Sequence, residues 1–560
     1  MFNFDNMDDK KKAAFIIKNH GRLEERRRPY EALWNVETKI FQPRRYDLLR
    51  TDQPGQQYGA RIYDGHPQNA ANIFTEGIIG YMMSSATPWL DFASSKTNLM
   101  DLDEVKKYFQ GGSEQILSSF NRSNFYDVSP QFTKDGAITG SPVMLPEEDL
   151  VDGSVVYQTF HPGDTYVEDD GRGGIAVLHI TRTLTAHAML EMFDKDRLPA
   201  DLVLNIESEN PDYFREYKCI YAMYKNTRRD EESLRPTDNK YKTFWVLREK
   251  RNSEQLLQES GTNWVPVDWR PGREPGRSYG TSIAADALTE ALITNKLGQK
   301  EIQAVHGAIE PAMRIHSALR GKVNLKPGGR TYFDKQDELM EAINENPNWP
   351  LSDAQMDRIH ASLDEKFHTR LFETLSRGDL PGNITAFQIS RMMGEKAVLL
   401  GSTILSYQKF QGKAIEVQWE FETQAGRMPD VPDILQEETD GRIDIVFLGA
   451  LAQLQRSLLR SKGIIDGLAI AGEIARLDEN SVNVVKWNKT MEDALIAQGF
   501  PQDNIRSDDE MQAIQQAEAD EIARQQQLEQ GETIAKALPS AGKAIEPNSP
   551  LSLLGVGAAE

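Results

Sequence analysis

The amino-acid sequence predicts a helix-rich α+β protein. Three observations point there. Apolar residues recur every three or four positions through long stretches near the start of the chain and again beyond Ser282. Between about Val155 and Trp269 the period falls to two, as in half-buried strands. Clusters of Gly, Pro, Asn and Asp mark the joints between these regimes.

The chain has 560 residues, material for several domains, and its 39% hydrophobic and 27% charged content fits a soluble globular protein. No run of about 18 apolar residues is present, so no membrane span is expected. The start, MFNFDNMDDKKKAAF, lacks the pattern of a secretory signal. The single cysteine, Cys219, lies in the strand-like run Glu216–Tyr224 and reads as a small buried hydrophobe. The formal net charge is −21. A protein that grips DNA tightly neutralises phosphates and is basic, so this chain is not built for a tight grip. Weak, sliding contact with DNA and simple solubility both remain open.

In order along the chain, residues 8–40 read as a helix. Its basic residues Arg26, Arg27 and Arg28, with Arg44, Arg45 and Arg50 beyond it, form either a solvated face or a surface for an acidic neighbour or DNA. Asp64-Gly65-His66-Pro67 is a turn, followed by a helix with Ala70, Phe74, Gly77 and Tyr81 on one side. Gly77 and Gly80 weaken that helix, which implies close packing there. Pro88-Trp89-Leu90-Asp91-Phe92 leaves it as an extended segment. The segments VVYQTF, IAVLHITRT, YKCIYAMY, KTFWVLRE and WVPVDW are candidate antiparallel strands, with a short helix, AHAMLEMF, after the second. DTYVEDDGRGG (164–174) superficially suggests a calcium loop. It lacks the ligand spacing and closing Glu of an EF-hand, and reads as an acidic turn.

From Ser282 to about His306 runs one long helix. Pro311, Gly321, Pro327, Gly328 and Gly329 then break the chain into short strands and turns. Ser352-Asp353-Ala354-Gln355 is a capping box that opens a helix with the stripe Met356, Ile359, Leu363, Phe367 and Leu371, ending at Gly378. After the loop GDLPGN, a second capping box, Thr385-Ala386-Phe387-Gln388, opens a very long helix to about Gln424. Ile389, Met393, Leu400, Ile404 and Tyr407 form its stripe, and glycines 394, 401 and 412 are points where it can bend. Residues 443–498 read as helices with short Gly-containing joints. A third capping box at Ser507 opens a segment rich in Ala, Gln and Glu, and the Pro-, Gly- and Ser-containing tail reads as disordered.

No catalytic constellation stands out. There is no phosphate-cradling Gly-rich loop ending in Lys-Ser or Lys-Thr, no His-Glu-x-x-His, no paired cysteines and no Gly-x-Ser-x-Gly. The nine histidines are scattered. His360 and His368 are two turns apart, too far for a metal pair. No cofactor or metal is expected, and the chain does not read as an enzyme.

Five segments together resemble the portal proteins, or head-to-tail connectors, of short-tailed tailed bacteriophages. They are YDGHPQNAANIFTEGIIGYMMSSATPWLDF; DGAITGSPVMLPEED with HPGDTYVEDDGRGG and RTLTAHAMLEMF; PVDWRPGREPGRSYGTSIAADAL; GNITAFQISRMMGEKAVLLGSTILSYQ; and IAQGFPQDNIRSDDEMQAIQQAEAD. Their order and spacing are specific, and the resemblance runs from about Asn19 to Asp520. The chain departs from the pattern at Tyr279-Gly280-Thr281-Ser282, where that family has Arg before the Ser and Pro after it.

The resemblance implies a portal fold. Its parts are a strand-containing wing (1–281), stem helix 1 (282–306), a small α/β clip (307–351), stem helix 2 (352–377), a tunnel loop (378–384), a long kinked helix (385–432), a helical crown (433–530) and the tail (531–560). It further implies a ring, usually of twelve subunits, at one capsid vertex. Double-stranded DNA passes non-specifically through it during packaging and ejection. The partners implied are the terminase motor, tail adaptor proteins, and the major capsid and scaffolding proteins. The locations implied are the virion and, during assembly, the host cytoplasm. Gly378, Asp379, Leu380, Pro381, Gly382 and Asn383 would line the channel. Leu288, Leu292, Ile302 and Val305 on the first stem helix, interrupted by Asn295 and Gln299, and Met356, Ile359, Leu363 and Phe367 on the second, would make subunit contacts. Two other readings stand beside this one. A packaging ATPase or nuclease would need the missing phosphate loop. A structural capsid, scaffold or tail-adaptor protein would lack paired long helices around a Pro/Gly-rich insertion.

Overall fold

A computed structural model describes residues 4, 7–45, 61–94, 96, 99–100, 102–149, 153–229, 235, 238–248, 255–309, 313–315, 340–342, 349–377, 400–439, 443–453 and 524. The chain divides into two compact units, Met1–Leu458 and Leu459–Glu560. Apart from Arg524, the described residues belong to the first.

Helix α1, Asp9–Phe41, begins where Asp8 caps it by accepting the backbone N–H of Lys11 at 2.8 Å. At about 50 Å it is long enough to serve two cores. Ala13, Ile16 and Leu23 lie on a β-sheet, while Ile40 and Phe41 join a helical core. The chain continues through α2 (His66–Met82), β1 (Leu90–Ser94), α3 (Asp103–Arg122) and α4 (Phe125–Thr139). Next come β2 (Val143–Asp149), β3 (Ser154–Thr159), β4 (Thr165–Asp169), β5 (Ile175–Thr185), α5 (Ala186–Met192) and α6 (Ala200–Ile206). They are followed by β6 (Glu216–Lys225), β7 (Tyr241–Leu247), β8 (Leu256–Thr262) and β9 (Val267–Asp268). The remaining described elements include α7 (Ile283–Ile309), β10 (Met313–Ile315), β11 (Met340–Ala342), α8 (Trp349–Lys366), α9 (Thr369–Arg377), α10 (Gly401–Gln424) and β12 (Ile443–Phe447).

Strands β4 to β8 form an antiparallel sheet in sequence order. The period of two is visible in its cores. Ile220, Ala222, Tyr224, Phe244 and Val246 face α1, whereas Tyr217, Cys219, Trp245 and Leu247 face α5 and α6. Cys219 is buried, as its strand pattern implied. A second sheet has the order β3-β2-β9, and β10 pairs with β11. The helical core gathers residues of α2, α3, α4 and α10, with Phe74, Phe120, Phe132, Tyr407 and Phe410 at its centre. The mixed, helix-rich α+β class agrees with the sequence reading.

Several local readings need correction. WVPVDW contributes only the two residues of β9, and to the smaller sheet. Residues 443–447, read as helix, form a strand in register with β1. The helix opened by the 352–355 capping box starts instead at Trp349, with Pro350 in its first turn, where a missing N–H costs nothing. It stops at Lys366, and His368, at φ 51°, turns the chain before α9. Gly77 does mark a close approach: a Cβ there would sit 2.3 Å from the Phe372 ring. Gly80 has open space around it, so packing does not explain it. Gly412 lies within the uninterrupted α10.

The acidic turn is held by its own backbone and by cations. Asp170 accepts the N–H groups of Arg172 and Gly174 and pairs with Lys225 at 2.8 Å, and Asp169 pairs with Arg270 at 2.7 Å. Arg270 also reaches Asp268 at 2.9 Å, so the PVDWRPGREPGR segment ties β9 to that turn. Among the described residues, no helix is long and apolar enough to cross a membrane.

Candidate functional site

Seven of the residues singled out in the sequence lie on a pair of helices, α7 and α8. Ser282 starts α7 by accepting the N–H of Ala285 at 2.9 Å. The same hydroxyl donates to Glu37 of α1 at 3.0 Å. Glu37 is fully buried, and its second carboxylate oxygen has no partner. Burial pushes this carboxyl up to about 7, with the Ser282 bond lowering it and the charge of Asp286 raising it.

Along α7 the buried positions are Ala284, Ala287, Ala291, Thr294 and Gly298, spaced alternately by three and four. Several larger apolar residues are more exposed. Leu292, Ile302 and Val305 are 42%, 44% and 43% exposed, and Ile309 is 73% exposed. Leu288 is half-buried against the helical core. At 3.6 residues per turn Ile302, Val305 and Ile309 continue the stripe of small buried residues toward the end of α7, where it is no longer covered, while Leu292 lies on another face. Aliphatic residues left uncovered at the end of a buried stripe suit a further partner. Side chains this exposed forgo part of the about 1.5–3 kcal/mol that full burial of each contributes.

Helix α8 runs antiparallel beside α7. Lys366 pairs with Glu290 at one end, and Ser352 donates to Glu301 at 2.6 Å at the other. A strap at 61–64 crosses both helices. Asn295 accepts the N–H of Tyr63 at 2.7 Å and donates to the carbonyl of Arg61 at 3.2 Å, and Gln299 donates to the Tyr63 hydroxyl at 3.5 Å. Gly298 leaves room for this crossing, since a Cβ would lie 3.1 Å from the Tyr63 carbonyl. Asn295 and Gln299, read as interruptions suited to a neighbour, thus serve the chain's own strap.

At the end of the strap two imidazoles stack, His66 on His360, with centroids 4.0 Å apart. His66 pairs with Asp364 at 2.9 Å and His360 with Asp64 at 3.0 Å, so α2 and α8 are clasped crosswise. Burial works to raise the Asp64 carboxyl. The N–H of His66 and the ring of His360 outweigh it and hold Asp64 below its usual range. Among the described residues, no three His, Cys, Asp or Glu side chains form a group able to hold a metal ion.

The residues singled out beyond Ser352 are placed differently from those on α7. Met356 is half-buried. Ile359 is buried, and Leu363 and Phe367 lie wholly inside the subunit's helical core, Phe367 5.4 Å from Phe41. The loop residues Gly378, Asp379, Leu380, Pro381, Gly382 and Asn383, most of the 307–351 insertion and the start of the long helix at Thr385 lie outside the described residues.

The arginine cluster also separates. Arg26 pairs with Glu168 at 2.7 Å. Arg27 is buried, donates to the carbonyls of Gly163 and Thr165 at 2.7 and 2.9 Å, and lies over the Tyr166 ring. Arg27 is therefore structural rather than a docking surface, and no local pattern distinguishes it from its two neighbours. Arg45 pairs with buried Asp135 at 3.0 Å, and burial still pushes that carboxyl up to about 6.

The family of bacteriophage head to tail connecting proteins matches residues 13–506. The chain belongs to that family. The portal protein of Salmonella phage epsilon15 is 21% identical over 534 residues, spanning 93% of this chain and 94% of that one. In this connector the matched region begins within α1 and takes in the strand-rich part, α7, α8 and α10.

Proposed function

We propose that this connector assembles as a ring at one capsid vertex and forms the channel through which double-stranded DNA is packaged and later ejected. The observation that supports this best is the set of exposed aliphatic residues on α7. From Leu292 to Ile309 they span about 25 Å of the helix and suit a neighbouring copy placed side by side. An interface built on it would bury on the order of 2,000 Å² or more, as permanent assemblies do. Leu292, Ile302 and Val305 are the contacts this reading favours, with Leu288 at the margin. Met356 and Ile359 would contribute less. Leu363 and Phe367 would act indirectly, by holding α8 in place.

On this reading the ring has twelve subunits, residues 307–351 dock the terminase motor and then the tail adaptors, and residues 378–383 line the channel. The wing would meet the major capsid and scaffolding proteins. Assembly would take place in the host cytoplasm before the ring is built into the virion. The net charge of −21, multiplied around a ring, would repel phosphates and keep DNA from sticking. The chain would hydrolyse no nucleotide, the motor supplying the work. Electron microscopy of the purified protein tests the proposal. Rings with a central hole are expected; spheres, sheets or monomers alone would favour a capsid, scaffold or tail-adaptor role instead.

A further inference from the structure

The face of the five-stranded sheet that carries Tyr217, Cys219 and Met223 is covered in two places. Helices α5 and α6 lie over one end, and Val143 and Leu145 of β2 lie over the other. Between them is a cleft of about 250 Å³, with Tyr221 and Trp245 in its floor and Glu147, Arg182 and Met192 in its walls. Tyr221 and Trp245 are register partners on β6 and β7, their rings 4.8 Å apart, so the floor is aromatic.

The walls carry one charge of each sign, and the two are not in direct contact. Gln158 of β3 stands between them: its amide donates to Glu147 at 2.8 Å and accepts from Arg182 at 2.9 Å. No ion pair reaches either Glu147 or Arg182 among the described residues. The guanidinium lies 5.7 Å from the Trp245 ring centre, in reach of a weak cation–π contact. Burial raises the Glu147 carboxyl, and the charge of Arg182 opposes this only in part. A half-buried carboxylate and a half-buried guanidinium that face one cleft, each bonded to a neutral amide and neither in contact with an opposite charge, can each take an opposite charge from outside.

We propose that this cleft binds a small zwitterion of the α-amino-acid type, its ammonium on Glu147, its carboxylate on Arg182 and an apolar side chain over Trp245 and Met192. The Gln158 amide already shows that one short polar group can address both walls, donor toward Glu147 and acceptor toward Arg182. An amino acid presents the same polarity with full charges, and the aromatic floor takes its side chain.

The test uses the full-length protein and three probes: L-phenylalanine, phenethylamine, which keeps only the ammonium, and 3-phenylpropionate, which keeps only the carboxylate. Saturation-transfer NMR with titration reads each affinity. L-phenylalanine is expected to bind saturably, with each single-charge analogue at least about tenfold weaker, the loss of one charge-assisted contact. Glu147→Gln should weaken L-phenylalanine and phenethylamine and leave 3-phenylpropionate unchanged. Arg182→Gln should do the mirror image. Circular dichroism checks that both variants fold. Equal affinity for the three probes, no saturable binding of L-phenylalanine, or folded variants that bind all three as the parent does would each overturn the proposal.

Discussion

Replacing Glu37 with Gln should remove a pH dependence built into the junction of α1 and α7. The carboxyl of Glu37 is fully buried, bonded only to Ser282, and keeps its proton up to about 7 in the folded chain against an ordinary 4.5. Between those values the folded state holds a proton that the unfolded state has released. The stability this contributes is complete below about 4.5, declines as pH rises, and is gone above about 7. A shift of this size corresponds to about 3 kcal/mol, of which about 2.5 kcal/mol falls between pH 5 and pH 8. Gln does not titrate and can keep the Ser282 bond, so Glu37→Gln should be flat over that window. Urea midpoints of parent and variant, measured in parallel from pH 5 to pH 8, give the difference directly. Buried His20 and His179 are held below their usual range by desolvation. They destabilise the fold as pH falls below about 6.5, but they are present in both proteins and cancel in the difference. Parallel pH curves for the two proteins would refute the assignment of the buried proton to Glu37.

Three other outcomes are expected. Leu292→Asp or Ile302→Asp places a charge at an exposed aliphatic position of α7 and should abolish rings in sedimentation while leaving circular dichroism unchanged; intact rings would remove α7 from the interface. Gly77→Ala drives a methyl into the Phe372 ring and should cost about 1–3 kcal/mol in denaturant unfolding; an unchanged midpoint would mean that the ring swings aside freely. Asp379→Lys should slow DNA packaging, most at low salt, where phosphate attraction is least screened. Rings should still form, and normal packaging at low salt would take Asp379 out of the channel.

What could be read in the sequence follows from where periodicity carries the information. The period of two located β5, β6 and β7 because both faces of those strands are buried in alternate sets, and α1 was placed to within a residue of its ends. Strand β8, LLQESGT, escaped notice because it is polar on its solvent side and contains a glycine. Strand β2, VMLPEED, escaped because a proline interrupts it. The break at His368 could not be foreseen, since nothing local requires a non-glycine residue to take a positive φ. The exposed aliphatic row on α7 was legible as apolar positions, but the seam of Ala, Thr and Gly that actually faces the subunit was not. Small residues carry little hydrophobic signal even where they set the closest packing. The clasp of Asp64, His66, His360 and Asp364 joins residues nearly 300 positions apart, and no spacing rule reaches that far.

The pairing of β1 with β12 has a consequence for how the chain is made. Leu90 to Ser94 form a strand whose partner, Ile443 to Phe447, comes about 350 residues later. At roughly 5–20 residues per second, a ribosome takes about 20–70 s to reach it. For that interval β1 leaves the ribosome as an unpaired edge, the kind of backbone that joins the wrong chain when copies are crowded. Translation speed and chaperone supply should therefore govern the yield of soluble subunit more strongly than its final stability does, and a chain truncated before Ile443 should aggregate even though nearly all of its helical core has been synthesised.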